Sequence, residues 1–185
     1  MLLSVQPANS SDFPAIIELQ ERNHLSNLAE NARDDGFVTT YLDTPKLEFL
    51  RAQNGLFIAK IGAELAGFAC AQNWDLSGTN AFHRAVLSGF PLNLKNSAIT
   101  AENSFLYGPV CVAASFRGRG ILGDLIEAVK AAFRPRYNFG VSFIDHRNLR
   151  SLAAHTRKLG FQIVGELPFD DTIYHVLGFS TSSSL

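Results

Sequence analysis

The stretch FRGRGILGDLIEAV, Phe116 to Val129, lays two anion-binding patterns over one another. Gly118, Gly120 and Gly123 form G-x-G-x-x-G, which between a strand and a helix would seat a dinucleotide pyrophosphate on the helix N-terminus. Read from Arg117, the same residues form Arg-x-x-Gly-x-x, a shorter loop with a basic residue at its mouth. Both patterns use one chemistry: glycines let a phosphate approach the backbone, and first-turn N–H groups present partial positive charge. Arg117 and Arg119 add charge-assisted hydrogen bonds. From Arg117 to Lys158 nine Lys or Arg stand against three acids, a balance of +6 that leaves −7 for the remainder of a chain of net charge −1. This segment suits an anionic ligand, whereas the overall charge gives no reason to expect a nucleic-acid or membrane partner.

The elements that must position this loop follow from periodicity. Val5 ends a short apolar start, Asp12 precedes a helical stripe of Phe13, Ile16, Ile17 and Leu19 as an N-cap, and Thr44-Pro45 opens a second short helix. LFIAKI and ELAGFACAQ read as strands of a hairpin turning at Gly62-Ala63. Trp74 to Asn103 reads as a long connection, with AFHRAVL able to form a short helix. SFLYGPVCVAA is strand-like, and Gly108-Pro109 inside it points to a bulge or an edge that opens the sheet. Helix from Gly120 to Phe133, strand FGVSFI, helix SLAAHTRKL ended by Gly160, and strands FQIVGEL and TIYHVLGF complete the order. The expectation is one α/β (α+β) domain over residues 1–185, a mixed, mostly antiparallel sheet flanked by helices, with splayed central strands and a flexible tail at 180–185.

The dinucleotide pattern has support: Asp145 ends the next strand 22 residues after Gly123, near the spacing of a ribose-binding acid. Against it, five residues (Ala113 to Arg117) separate strand from glycines, and the chain has no room for further strand–helix units. VCVAASFRGRGIL and DHRNLRSLAAHTRKLGF together resemble the GNAT superfamily of acyl-CoA N-acetyltransferases. In that family a strand ends in Val, an Arg or Gln follows five residues later, and R-x-x-G-x-G/A opens a helix; Val112, Arg117 and Gly120 match. The next helix starts with Asn, has a small residue three positions on and ends in Gly-Phe; Asn148, Ser151, Gly160 and Phe161 match. The resemblance runs from about Phe105 to Phe161, and the N-terminal segment is similar to the family's first strand and helix. Leu122 departs from the pattern, standing where the loop has its last Gly or Ala.

The resemblance implies that acetyl-CoA is bound by Val110, Cys111 and Val112 along the pantetheine, by Arg117, Gly118, Arg119, Gly120, Ile121 and Leu122 around the pyrophosphate, and by Asn148, Ser151 and His155. It also implies an oxyanion-stabilising N–H near Val112. The family's thiolate-protonating Tyr lies seven residues after the Asn and four before the Gly, counts that here point to His155 and Thr156 respectively. On a regular helix Asn148 and His155 lie about 20° apart, with Thr156 beside Leu149 and Leu152, which favours His155 as the cofactor-facing residue. A general-acid role for His155 and a purely hydrogen-bonding one are both open. For the base, Tyr107, Asp145, His146 and Glu102 are candidates, while Asp145 and His146 also suit a helix cap.

The expected activity is transfer of acetyl from acetyl-CoA to a primary amine of a small acceptor by direct attack in a ternary complex. The acceptor would lie between the first helices and the loop after Trp74. An acyl-CoA-binding sensor without turnover and a nicotinamide-dinucleotide oxidoreductase are the alternatives. Cys70 and Cys111 have no C-x-x-C or metal-type His pair beside them, so both read as buried free thiols and no metal is expected. The start MLLSVQPANSSD has no secretory character, and Leu56 to Ala71, broken by Lys60 and Glu64, is short of the ~20 apolar residues of a membrane span. A cytoplasmic protein is expected, with a homodimer an open arrangement and no nucleic-acid or membrane partner.

Overall fold

The computed structural model describes residues 2–75 and 81–182. In chain order it contains β1 (Leu3–Pro7), α1 (Phe13–Asn23), α2 (Thr44–Ala52), β2 (Leu56–Ile61), β3 (Glu64–Gln72), α3 (Ala81–Ser88), β4 (Leu92–Leu94), β5 (Ser97–Ile99) and β6 (Ser104–Val112). There follow α4 (Ile121–Phe133), β7 (Phe139–Asp145), α5 (Leu149–Ala153), β8 (Gln162–Phe169) and β9 (Thr172–Ser180). Seven strands hydrogen-bond in the order β1-β2-β3-β6-β7-β9-β8, and β4 and β5 form a separate hairpin. The pairs β1–β2, β2–β3, β7–β9 and β8–β9 are antiparallel, and β6–β7 is parallel. This is the mixed, mostly antiparallel sheet expected from the sequence, and it lacks the all-parallel order of a doubly wound dinucleotide-binding domain.

Contacts cluster into two compact units, residues 1–72 with 108–132 and residues 73–107 with 133–185, so β6 passes from one to the other at Gly108. In the first unit, Phe13, Ile16 and Leu19 of α1 bury against Leu47, Leu50, Leu56, Ile58 and Phe68, with Cys70 and Cys111 in the same cluster. Gln20 is fully buried here because its amide spans the backbone of Leu42, accepting from the N–H at 2.7 Å and donating to the C=O at 3.1 Å. Gly67 of β3 is dictated by close approach: a Cβ there would sit 2.7 Å from the Cys111 carbonyl oxygen of β6. Asp12 does not cap α1 as expected. Its carboxylate instead accepts from the Asn9 N–H at 2.8 Å and from Lys60 Nζ of β2 at 2.6 Å, tying the helix entry to the sheet.

In the second unit the expected long connection has structure of its own. Of this stretch, residues 76–80 lie outside the described residues; α3 and the β4–β5 hairpin pack Val86, Leu94 and Ile99 with Trp74 against Val141 and Val176. Trp74 Nε1–H donates to Ser104 Oγ at 3.1 Å, so the indole's polar end is satisfied inside the core. Of the tail expected at 180–185, residues 180–182 are described, and the first two are tied into the fold. β9 continues through Ser180, and Thr181 is 1% exposed with its N–H on the Asn138 carbonyl; residues 183–185 lie outside the described residues. No described helix is long and apolar enough to cross a membrane.

Burial alone would raise the Asp12 carboxyl, but the Lys60 and Asn9 hydrogen bonds outweigh it and hold it below its ordinary 3.8. A carboxyl depressed in the folded state contributes stability above the unfolded value that is lost as pH falls through the folded one. Asp12→Ala is therefore expected to cost about 1–3 kcal/mol in urea unfolding near neutral pH, because it strands Lys60 and the Asn9 amide. The difference from wild type should shrink as pH drops below about 4.

Candidate functional site

In the first unit the end of β6 leads through a 3₁₀ turn, Ala114–Phe116, to the glycine loop and α4. Gly118 and Gly120 have φ of +81° and +84°, a left-handed conformation that a side chain would strain, and the space beside both is open. Gly123 N–H and Asp124 N–H bond the Gly120 carbonyl at 2.8 and 3.2 Å, closing the first turn of α4. Helix geometry leaves the amides of Ile121 and Leu122 without an intrahelical carbonyl, beside two glycines that leave room for an anion. Leu122 is half-buried. Arg119 extends over the Phe116 ring, 5.4 Å from its centroid.

Arg117 has a different engagement from the phosphate contact expected of it. Its Nε–H donates to the Val112 carbonyl at 3.1 Å and its guanidinium to Asn23 Oδ1 at 2.8 Å. It fixes the loop to the strand that leads into it and to the last turn of α1. Cys111 is buried, and burial pushes its thiol up to about 12, with the Arg117 charge opposing weakly. Val110 and Val112 are half-buried on the same strand, and the Ala113 N–H bonds the Ala66 carbonyl of β3.

In the second unit β6 pairs with β7 at Ser104↔Phe139, Phe105↔Gly140 and Leu106↔Val141. The β9 ladder on the other edge of β7 continues four residues further, to Asp145↔Tyr174. Tyr107 follows the last β6 rung and is 1% exposed, packed with His155, Phe161 and Phe179 at ring separations of 5.8–5.9 Å. Asp145, a base candidate, is engaged otherwise. Its carboxylate accepts from the backbone N–H and side chain of Arg147; burial would raise it, but these bonds outweigh that and hold it below the usual carboxylate range. His146 Nδ1 bonds the Ile173 carbonyl at 3.1 Å, and Glu102 is exposed in the turn before β6. The base-or-cap alternative for Asp145 thus meets a turn anchor: the Asn148 N–H also bonds its carbonyl oxygen, at 2.8 Å.

Asn148 caps α5, its Oδ1 accepting from the Ser151 N–H at 3.3 Å. The helix does not run on regularly. From Ala154 to Lys158 it widens into a π-helical turn, which absorbs one residue more than an α-helix would hold between the same ends. This explains why counts from Asn148 and from Gly160 disagree by one. Leu149 is 69% exposed, so it does not lie on the apolar face assigned to it with Thr156, and Thr156 Oγ1–H donates to the Leu152 carbonyl. His155 is 2% exposed, and its Nδ1–H donates to the Ser151 carbonyl at 2.8 Å. Burial pushes its pKa below the ordinary 6.5, opposed in part by the Ser151 bond. Its Nε2 is buried and has no hydrogen-bond partner among the described residues.

Sequence reasoning missed Asn23 and Arg147, which have no spacing signature, and the π turn, which the one-residue surplus had signalled. Among the described residues no group of three or more His, Cys, Asp or Glu could hold a metal ion.

A search by sequence among curated proteins finds no match. By structure the chain is similar to yncA of Salmonella typhimurium, a putative acetyltransferase solved with its cofactor acetyl-CoA, at 15% identity and a TM-score of 0.63 over 98% of this chain and 95% of that one. It is similar to an N-acetyltransferase of Staphylococcus aureus Mu50 at 18% identity and 0.62, covering 98% and 100%. A ribosomal-protein-alanine N-acetyltransferase of Brucella melitensis gives 18% and 0.58, covering 96% and 99%. The sequence profile of the Acetyltransferase (GNAT) family matches residues 14–161, spanning the first helix, the glycine loop and the Asn148 helix through to Phe161, and the chain belongs to that family of acyltransferases.

Proposed function

We propose that the protein transfers acetyl from acetyl-CoA to the primary amine of a small acceptor by direct attack in a ternary complex. The observation that carries the cofactor half is the loop of Gly118 and Gly120, held at positive φ beside open space and the first turn of α4. The amides of Gly118 to Leu122 hold the pyrophosphate, Arg119 adds charge, and Arg117 keeps the loop in place. The backbone of Val110, Cys111 and Val112 bonds the pantetheine, and an N–H near Val112 stabilises the oxyanion; Asn148, Ser151 and His155 are the further cofactor contacts that the family's pattern implies. The solved relative that carries acetyl-CoA supports this choice of donor.

For the acceptor, the described groove along α1 and α2, about 560 Å³ and lined by Phe13, Pro14 and Ile17 with Glu18, Glu21 and Glu48, supports a partly apolar amine. The amine's lone pair attacks the thioester carbon, the C–S bond breaks and the thiolate leaves with the electron pair. Cys111 takes no part, because a thiol raised to about 12 offers almost no thiolate at neutral pH. Asp145, neutralised by Arg147 and held ionised at low basicity, is a turn anchor in this reading.

Calorimetric titration should show saturable acetyl-CoA binding that weakens with rising salt, and none of a reduced nicotinamide dinucleotide. Gly120→Ala should reduce that affinity about tenfold, because a side chain at this φ costs about 1–2 kcal/mol. Dinucleotide binding alone would overturn the proposal, and acetyl-CoA binding without acetylation of any amine would favour a sensor. Cys111→Ala should lose less than about threefold in turnover, about 0.6 kcal/mol in barrier. Abolished turnover with acetyl-CoA affinity intact would establish an acyl-enzyme route instead.

A further inference from the structure

We propose that one face of the β8–β9 hairpin, with α5 beside it, is a docking surface for a second copy of this chain, laid antiparallel about a two-fold axis. The inference is independent of the acetyl-transfer reading and lies wholly within the second unit. Among the described residues five large apolar side chains are exposed, and three of them belong here: Leu149 at 69%, Ile163 at 51% and Ile173 at 42%. Strand register puts the two isoleucines on one face. Ile163 pairs with Leu177 and Pro168 with Ile173, and residues 173, 175 and 177 share a face by the alternation of a strand. Between them Glu166 pairs with His175, whose Nδ1 lies 3.5 Å from the carboxylate. The helix side is the same one: Phe161, which contacts His155, stacks on Phe179, the next residue of that face. Leu149 joins the row at its turn end, because the backbone N–H and Nδ1 of His146 bond the Ile173 carbonyl. A solvated hairpin face ordinarily reads polar, and this one does not.

The shape and charge of the face select its occupant. β8 ends the seven-strand order, but the register shift between Ile163 and Gly165 and the missing N–H of Pro168 make its edge a poor template for an added strand. The partner therefore lies across the face. α5 starts beside the β8–β9 turn and leads back to the start of β8, so the patch has two ends of different charge. At the turn, Asp145, Asp170 and Asp171 stand against Arg147 and Arg150, a balance of −1. At the far end of the helix Arg157 and Lys158 are both exposed and give +2. A two-fold contact uses the same patch on both copies, so each acidic turn meets the partner's basic helix end while the apolar row meets itself. A partner of uniform charge would match one end and oppose the other. A contact of one hairpin and one short helix falls at the small end of specific interfaces, and the dimer is a reversible one with a Kd on the order of micromolar.

The test is sedimentation velocity of the full chain at low salt, from about 5 to about 200 μM. The expected result is a concentration-dependent dimer that weakens as salt is added. Ile173→Glu replaces an exposed side chain, so it should keep its thermal midpoint within about 3 °C of wild type and sediment as a monomer throughout. Ile163→Glu, at the other end of the row, should do the same and stands in if the first variant fails to fold. Asp171→Lys should weaken the dimer about tenfold, and so should Arg157→Glu with Lys158→Glu. All three substitutions together should return the affinity to within about threefold of wild type, since the two ends again carry opposite charge. Asp170 is kept in every variant because it holds the turn at φ +49°. A wild-type monomer at every concentration overturns the proposal and leaves the face to a different partner. A dimer that both glutamate variants leave intact also overturns it, as does a combined charge variant no tighter than its two parents.

Discussion

A strand has two edges, and β6 uses them unequally along its length. Its first residues, Ser104 to Leu106, bond β7 in parallel, and from Gly108 onward the strand belongs to the other compact unit. Backbone groups released from a ladder need partners elsewhere. On β7 the loss falls on one edge, because β9 continues to pair with Ser142 through Asp145.

The glycine loop shows how conformation and electrostatics are made to agree. Two left-handed residues turn the chain so that α4 begins with its amides uncommitted, and open space beside them keeps those amides available. The guanidinium most obviously suited to an anion is spent instead on Val112 and Asn23. Charge thus acts here through position: Arg117 holds a backbone in place, and the backbone supplies the donors. Asp145 and Arg147 repeat the arrangement in the second unit, where a carboxylate and a guanidinium hold each other and the turn that starts α5.

Much of this was legible in the residues. β2 and β3 coincide with the runs LFIAKI and ELAGFACAQ because two short, nearly continuous apolar runs flank a Gly-Ala turn there. The glycine spacing marked the loop, and Asn148 with Gly160 marked the ends of the following helix. What could not be read was long-range. Nothing near Arg117 announces Asn23, 94 residues away, and nothing in Trp74 to Asn103 announces that its scattered apolar residues converge on Val141 and Val176. The widening of the helix from Ala154 to Lys158 was not visible either, because a 100° step per residue presumes a regular helix, and this one widens where the count runs over.

That widening has a consequence for how the chain tolerates change. A residue added to an α-helix ordinarily turns everything after it by about 100°, exchanging inside for outside down to the next loop. Here the surplus is taken up within Ala154 to Lys158, so Gly160 ends the helix at φ +71° and Phe161 stacks on Phe179 with a ring separation of 4.0 Å. The segment behaves as a slack loop in an otherwise taut thread, storing one change of length where it alters the chemistry of a single side chain and leaves the downstream strands in phase.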